Sequence, residues 1–200
     1  MNLITVPACQ QHNAVFSIDE EYFRDFIVGG SYAHPEARQI WEERSRPAFR
    51  RSRRYGAMIL SQVTRRRVRS PLGLFLGHLF LAHPDHVRIE RVFRKIMRGL
   101  YCHHYKEQCA LGPIELKLWQ ISPLNPPPPE VRTLFSGAPT GSLGHVVYRF
   151  ATEPDLEPTA IATASFFDRM HFVFSASRSG DDDRLSLRPR TRLWIPKEAR

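Results

Sequence analysis

Residues Pro84 to His104, PDHVRIERVFRKIMRGLYCHH, constrain the fold more than any other stretch of the chain. Apolar side chains at Val87, Val92, Phe93, Ile96, Leu100 and Tyr101 recur close to every 3.6 residues. Arg88, Arg91, Arg94, Lys95 and Arg98 fall mostly between them. Asp85 is placed to cap the N-terminus, and Glu90 sets negative charge near the positive end of the helix dipole. The pattern predicts an amphipathic helix with one face on a core and a basic opposite face.

A helix with one apolar stripe needs a second layer to cover it. After Gly112-Pro113 the period shortens to two. Ile114, Leu116 and Leu118 alternate with Glu115, Lys117 and Trp119, which predicts a half-buried strand. Asn125 to Pro129 is a stiff loop whose prolines offer no amide donors. Val131–Phe135, His145–Ala151, Thr159–Phe167 and His171–Ala176 are further strand candidates. Asp168-Arg169 is a tight connection that makes the last two a hairpin. The expectation is an α+β fold, with the long helix packed on an antiparallel sheet spanning residues 114 to 176. Residues 1–34 read as an N-terminal unit, 35–176 as the main α+β domain and 177–200 as a loose tail.

The N-terminal half is more punctuated. Leu3, Ile4 and Val6 resemble a strand already in progress. Ser17-Ile18-Asp19-Glu20 matches a capping box, so a helix is expected from about Ile18 to Val28. Tyr22, Phe23, Phe26 and Ile27 lie on its buried side, and Gly29-Gly30 ends it. Pro35 starts a second helix through about Arg44, and Pro47 should block its continuation. Ala57 to Arg69 reads as a strand with a basic second half. Ser70-Pro71-Leu72-Gly73 is a turn signal, and Leu74 to Ala82 is a short apolar strand or a helix lead-in, two readings that periodicity does not separate.

Charge is concentrated in one place. The chain carries a formal +9, yet ten arginines and no Asp or Glu lie between Arg44 and Arg69; removing those ten takes the charge from +9 to −1. Such a block is what phosphate backbones attract by Coulomb steering and counterion release. Arg50, Arg51, Arg53, Arg54, Arg65, Arg66, Arg67 and Arg69 are the candidate nucleic-acid contacts, to DNA or RNA. The competing reading is a solvated arginine face. With 42% hydrophobic residues and a mean hydropathy of −0.37 the chain can build a core, and no apolar run reaches membrane-spanning length, so no membrane partner is expected. No basic and apolar leader opens the chain. Three cysteines, an odd number, argue against a disulfide framework and for a reducing cytoplasm.

Signals for chemistry are sparse. Cys9 and His12, three apart, have the spacing of half a zinc knuckle, but a closed structural zinc needs four ligands. Cys102, His103, His104 and Cys109 form the other such cluster, read as structural. Asp181-Asp182-Asp183 reads as a solvated acidic run. Gly137, Gly141 and Gly144 lack the Lys-Ser/Thr ending of a phosphate loop. No residue is assigned a catalytic role.

Two stretches together carry a family resemblance. VPACQQHNAVFSIDEEYFRDFI resembles the segment that follows the metal centre in bacterial HNH endonuclease-like proteins, of the form V-P-x-C-x-x-C-N followed by a Phe-Ser-Lys-Asp-Glu-Glu-Tyr helix start. RVFRKIMRGLYCHH resembles that group's downstream helix, R-K-I-x-R-G-L-Y-x-H-H. The order and separation fit as well. The resemblance implies zinc held in part by Cys9 and His12, with His in place of the usual second Cys, and Asn13 beside them. Ile18 stands where the pattern has Lys. The family's first Cys-x-x-Cys and its acidic-His pair, where a His activates water and a divalent ion stabilises the leaving oxygen, would lie upstream of Met1. The expectation is therefore a C-terminal portion of an HNH endonuclease-like protein that binds nucleic acid without cutting it. An interaction domain with no nucleic-acid role is the alternative reading. An active zinc-dependent nuclease is the third, if the true start lies upstream.

Overall fold

The computed structural model describes residues 10–104, 114–121, 139–152 and 160–178. Cys9, Cys109, the 125–129 loop, the 131–135 strand candidate, Gly137 and residues 179–200 lie outside them. Five antiparallel strands form the main sheet: β3 (Ile114–Ile121), β4 (Gly141–Leu143), β5 (Val146–Thr152), β6 (Ala160–Phe166) and β7 (Met170–Arg178), in the order β3-β7-β6-β5-β4. The expected α+β class is observed, with the long helix, α5 (His86–His104), on this sheet.

Local signals explain how α5 forms. Asp85 Oδ1 accepts from the backbone N–H groups of Val87 and Arg88, at 3.1 and 3.3 Å, so it caps the helix as expected. Val92, Phe93, Leu100 and Tyr101 are buried, Ile96 is half-buried, and Val87 is exposed. Phe93 has no exposed surface, and its ring lies 4.9 Å from those of both Phe172 and Phe174 on β7. Helix α1 (Gln10–Gly30) completes the layer: Phe23 meets Phe93 edge-on at 5.3 Å and Phe166 at 5.5 Å. Tyr22, Phe23, Ile27 and Val28 of α1 thus share one core with α5 and the sheet.

The basic side of α5 is partly neutralised. Lys95 pairs with Glu20, Arg91 with Asp19 at 3.3 Å, and Arg88 approaches both Asp19 and Asp85. Asp19 and Glu20 of α1 reach Arg91 and Lys95 across more than seventy residues of sequence, while Arg94 and Arg98 stay exposed.

Several expected boundaries moved. Helix α1 begins at Gln10, so Ser17 sits mid-helix and starts nothing. Pro47 does not stop the second helix. After α2 (Pro35–Ile40) the chain widens into a π-helical stretch, Trp41–Ser45, in which the Arg46 N–H bonds the Trp41 carbonyl, and α3 (Arg46–Arg51) follows. The wider turn places Pro47 in the first turn of α3, where its missing N–H leaves no ladder bond open. Residues 57–61 are helix rather than strand. They belong to α4 (Arg53–Ser61), which the Ser52 hydroxyl caps by accepting from the Tyr55 N–H at 3.3 Å.

Strands β1 (Val63–Arg69) and β2 (Phe75–Ala82) form a separate two-stranded hairpin, termed the arm. The 70–73 turn signal is where the chain reverses. In the main sheet the β6–β7 turn centres on Phe167 and Asp168, one residue earlier than expected, both at φ 52°. That left-handed pair suits the twist of a hairpin but costs a bulky residue about 1–3 kcal/mol. Cys102, in the last turn of α5, is disulfide-bonded, which corrects the expectation drawn from the cysteine count. An odd number forbids complete pairing, not one bridge, and the inference of a reducing compartment loses that support. No helix among the described residues is long and apolar enough to cross a membrane.

Candidate nucleic-acid interface

The arginine block occupies the two ends of α4. Arg50 and Arg51 close α3, and Arg53 and Arg54 lie in the first turn of α4. Arg65, Arg66, Arg67 and Arg69 lie on β1. All eight are exposed. Nine residues of helix at 1.5 Å each place the two groups about 13 Å apart along α4. Of the ten arginines from Arg44 to Arg69, Arg46 is paired with Glu42 at 2.6 Å. The other nine make no ion pair among the described residues, although Arg50 helps Arg46 hold the Glu42 carboxyl below its usual range; Arg65 meets His78 Nδ1 at 3.0 Å, and Arg69 donates to the Gly73 carbonyl at 3.4 Å.

Two cations in the first turn of α4 face the positive end of the helix dipole, which is locally unfavourable and which an incoming anion would relieve. On the arm, Arg65 and Arg67 point to one face and Arg66 to the other, because pleated strands alternate. A seven-residue strand at 3.3 Å per residue reaches about 23 Å.

Two buried polar nodes hold these elements in place, and neither was visible as a motif. Asp25 on α1, 2% exposed, accepts from Ser45 Oγ at 2.6 Å, Tyr55 Oη at 2.8 Å, and Arg24 Nε and Nη2 at 3.0 and 2.9 Å. It ties α1 to the π stretch and to α4. Burial and the neighbouring Asp25 carboxylate push the Tyr55 phenol far above the usual tyrosine range, so it stays a donor. The second node is Tyr22, 1% exposed. Its hydroxyl donates to Gln62 Oε1 at 2.5 Å and accepts from the Asp85 N–H at 2.7 Å. Gln62 precedes β1, and Asp85 comes shortly after β2, so one phenol pins both stems of the arm. Burial raises the Tyr22 pKa, and the Arg88 guanidinium lies over its ring at 5.4 Å.

A cleft of about 580 Å³ opens beside the start of the block, with Arg44, Glu36 and His145 at its polar edge and Phe23, Ile27 and Phe167 among its apolar lining. Here His145 Nδ1 lies 2.6 Å from Glu36 Oε2, with His34 Nδ1 at 3.8 Å from the same oxygen. The Phe167 ring stacks on His145, with centroids 5.1 Å apart and planes at 16°. This contact, with the bond from the Phe167 N–H to the His145 carbonyl, holds the strained turn. Sequence reading missed this set because its members come from three distant segments.

His12 lies in α1, Cys9 lies outside the described residues, and among the described residues no three His, Cys, Asp or Glu form a group able to hold a metal. His103 and His104 end α5, and His104 stacks on Phe150 with centroids 4.9 Å apart. Burial, and then the neighbouring His103, lower the His104 pKa. Comparison with protein-family models, with curated proteins and with solved structures finds no match.

Proposed function

We propose that this chain binds nucleic acid through its phosphate backbone, as an HNH endonuclease-like protein that does not cut by the HNH mechanism. The arm and the start of α4 form the grip. The observation that supports this most is that nine of the ten arginines from Arg44 to Arg69 make no ion pair among the described residues, whereas three of the five Arg and Lys residues of α5 do. Selection for solubility alone would not require cations in the first turn of α4, where the dipole disfavours them. Arginines on both faces of a projecting strand suit a phosphate-lined groove better than a flat protein surface. No zinc-dependent step is part of this reading.

The test is a salt titration of binding to a duplex DNA by fluorescence anisotropy. Each phosphate contact adds about 0.9 to the slope of log K against log salt. Replacing Arg65, Arg66, Arg67 and Arg69 by Ala should lower that slope by about 3 to 4. No binding at low salt would refute the proposal. The exposed apolar residues of β2 favour a second reading, an interaction domain without a nucleic-acid role, and the same null result would select it.

A further inference from the structure

The arm is unusual in a second respect, independent of its arginines. Leu72, Leu74, Phe75, Leu76, Leu79, Phe80 and Leu81 are exposed, from 37% at Leu81 to 88% at Leu72. A lone two-stranded hairpin is at best marginally stable in water, and a long apolar strand edge is a template for further pairing. The two edges of this hairpin differ. Strand β1 carries four arginines, whereas β2, FLGHLFLA, has no Asp, Glu, Lys or Arg. The β1 edge is defended by charge and the β2 edge is not.

We propose that β2 is a self-association edge: two copies of this chain pair β2 with β2, antiparallel, about a two-fold axis through Leu79. Charge selects this arrangement. Pairing β1 with β1 would set arginines opposite arginines. Pairing β2 with the partner's β1 would be head-to-tail and would propagate into open filaments, whereas β2 with β2 closes after two copies. The backbone supports the register. The His83 N–H bonds the Gln62 carbonyl at 2.7 Å, and β1 pairs β2 with Val63 opposite Ala82 and Arg66 opposite Leu79. By the alternation of antiparallel ladders, Leu79 and Leu81 turn their backbone groups toward β1, and His78, Phe80 and Ala82 turn theirs toward the open edge. A two-fold through Leu79 then sets His78 of each copy opposite Phe80 of the other, with Leu79 meeting its own copy across the axis. The irregular part of the arm, the register shift at Val68/Arg69 and Gly77 at φ 131°, lies on the tip side of this segment. Five large apolar side chains, Phe75, Leu76, Leu79, Phe80 and Leu81, lie exposed along β2 itself. The product is a four-stranded sheet, β1-β2-β2-β1, with the apolar strands inside and both arginine strands outside.

The experiment is sedimentation velocity on the full chain, freed of nucleic acid and run in high salt. The expected species has twice the 23.2 kDa of one chain. Leu79→Lys combined with Phe80→Lys should give a monomer with an unchanged circular dichroism spectrum. Leu79→Cys should form a covalent dimer on oxidation, which Arg66→Cys on the neighbouring strand and the unsubstituted chain should not. Removing residues 179–200 should leave the dimer intact. A monomeric full chain would overturn the proposal. If that monomer dimerises only after the truncation, the tail covers the edge; if it floats with phosphatidylglycerol vesicles, a lipid surface does. A dimer unaffected by the double Lys variant would also overturn it. A dimer that binds no DNA would leave this inference standing while removing the proposed function.

Discussion

Asp25 offers the sharpest test of how the arginine block is positioned. Its carboxylate is buried and accepts four hydrogen bonds from three side chains. Asp25→Ala orphans the Tyr55 hydroxyl and the Ser45 hydroxyl, the latter on a residue with no exposed surface. Each stranded buried polar group costs about 1–3 kcal/mol. The Arg24 guanidinium, on a side chain one-third exposed, can return to water and adds little. The expected loss is about 3–5 kcal/mol, in the range for breaking a buried charged network. Tyr55→Phe alone should cost about 1.5–3 kcal/mol, since it removes one hydrogen bond to a charged group. The double variant should cost less than the sum, because the phenol that Asp25→Ala strands is then absent; a coupling of about 1–2 kcal/mol is expected. Urea unfolding followed by circular dichroism supplies all four corners of the cycle. A loss below about 1 kcal/mol for Asp25→Ala, or additivity with Tyr55→Phe, would refute the claim that this carboxylate joins α1 to α4.

Other perturbations separate the remaining parts. Tyr22→Phe removes the phenol shared by Gln62 and Asp85; a destabilisation of about 1–3 kcal/mol is expected, with faster amide exchange across residues 63–82 and weaker DNA binding. Unchanged exchange in the arm would show that the phenol does not anchor it. His104 has a folded-state pKa below its unfolded value, so its contribution to stability is complete above the ordinary histidine range and is lost as pH falls through the lowered value. Unfolding midpoints measured between pH 8 and 5 should fall less steeply in His104→Gln than in the unsubstituted chain, and parallel curves would contradict the assignment.

Features set by near neighbours in the chain are legible before folding. The 3.6-residue period of α5, the Asp85 cap, strand β3 and the α+β class all depend on neighbours within a few positions, and each is present in the fold. The arginine block was equally legible, because charge density along a chain needs no fold to be counted. Tertiary structure decided which charges are spent. Asp19 and Glu20 sit more than seventy residues from the α5 cations they neutralise, a distance no local pattern spans. It also decided where helices break. Pro47 is a stop signal by covalent geometry, yet a π-helical widening absorbs its missing donor, with Ser45 of that stretch bound to buried Asp25. Residues 57–61, expected to open a strand, are helix: Ala57, Met58 and Leu60 are good helix formers, Ser52 caps the helix, and Gly56 packs against Phe49. The pinning of the arm by Tyr22 and the meeting of Glu36 with His145 belong to this class too. They arise from side chains brought together after the chain has collapsed, when burial makes each unsatisfied polar group costly and the fold selects its partner.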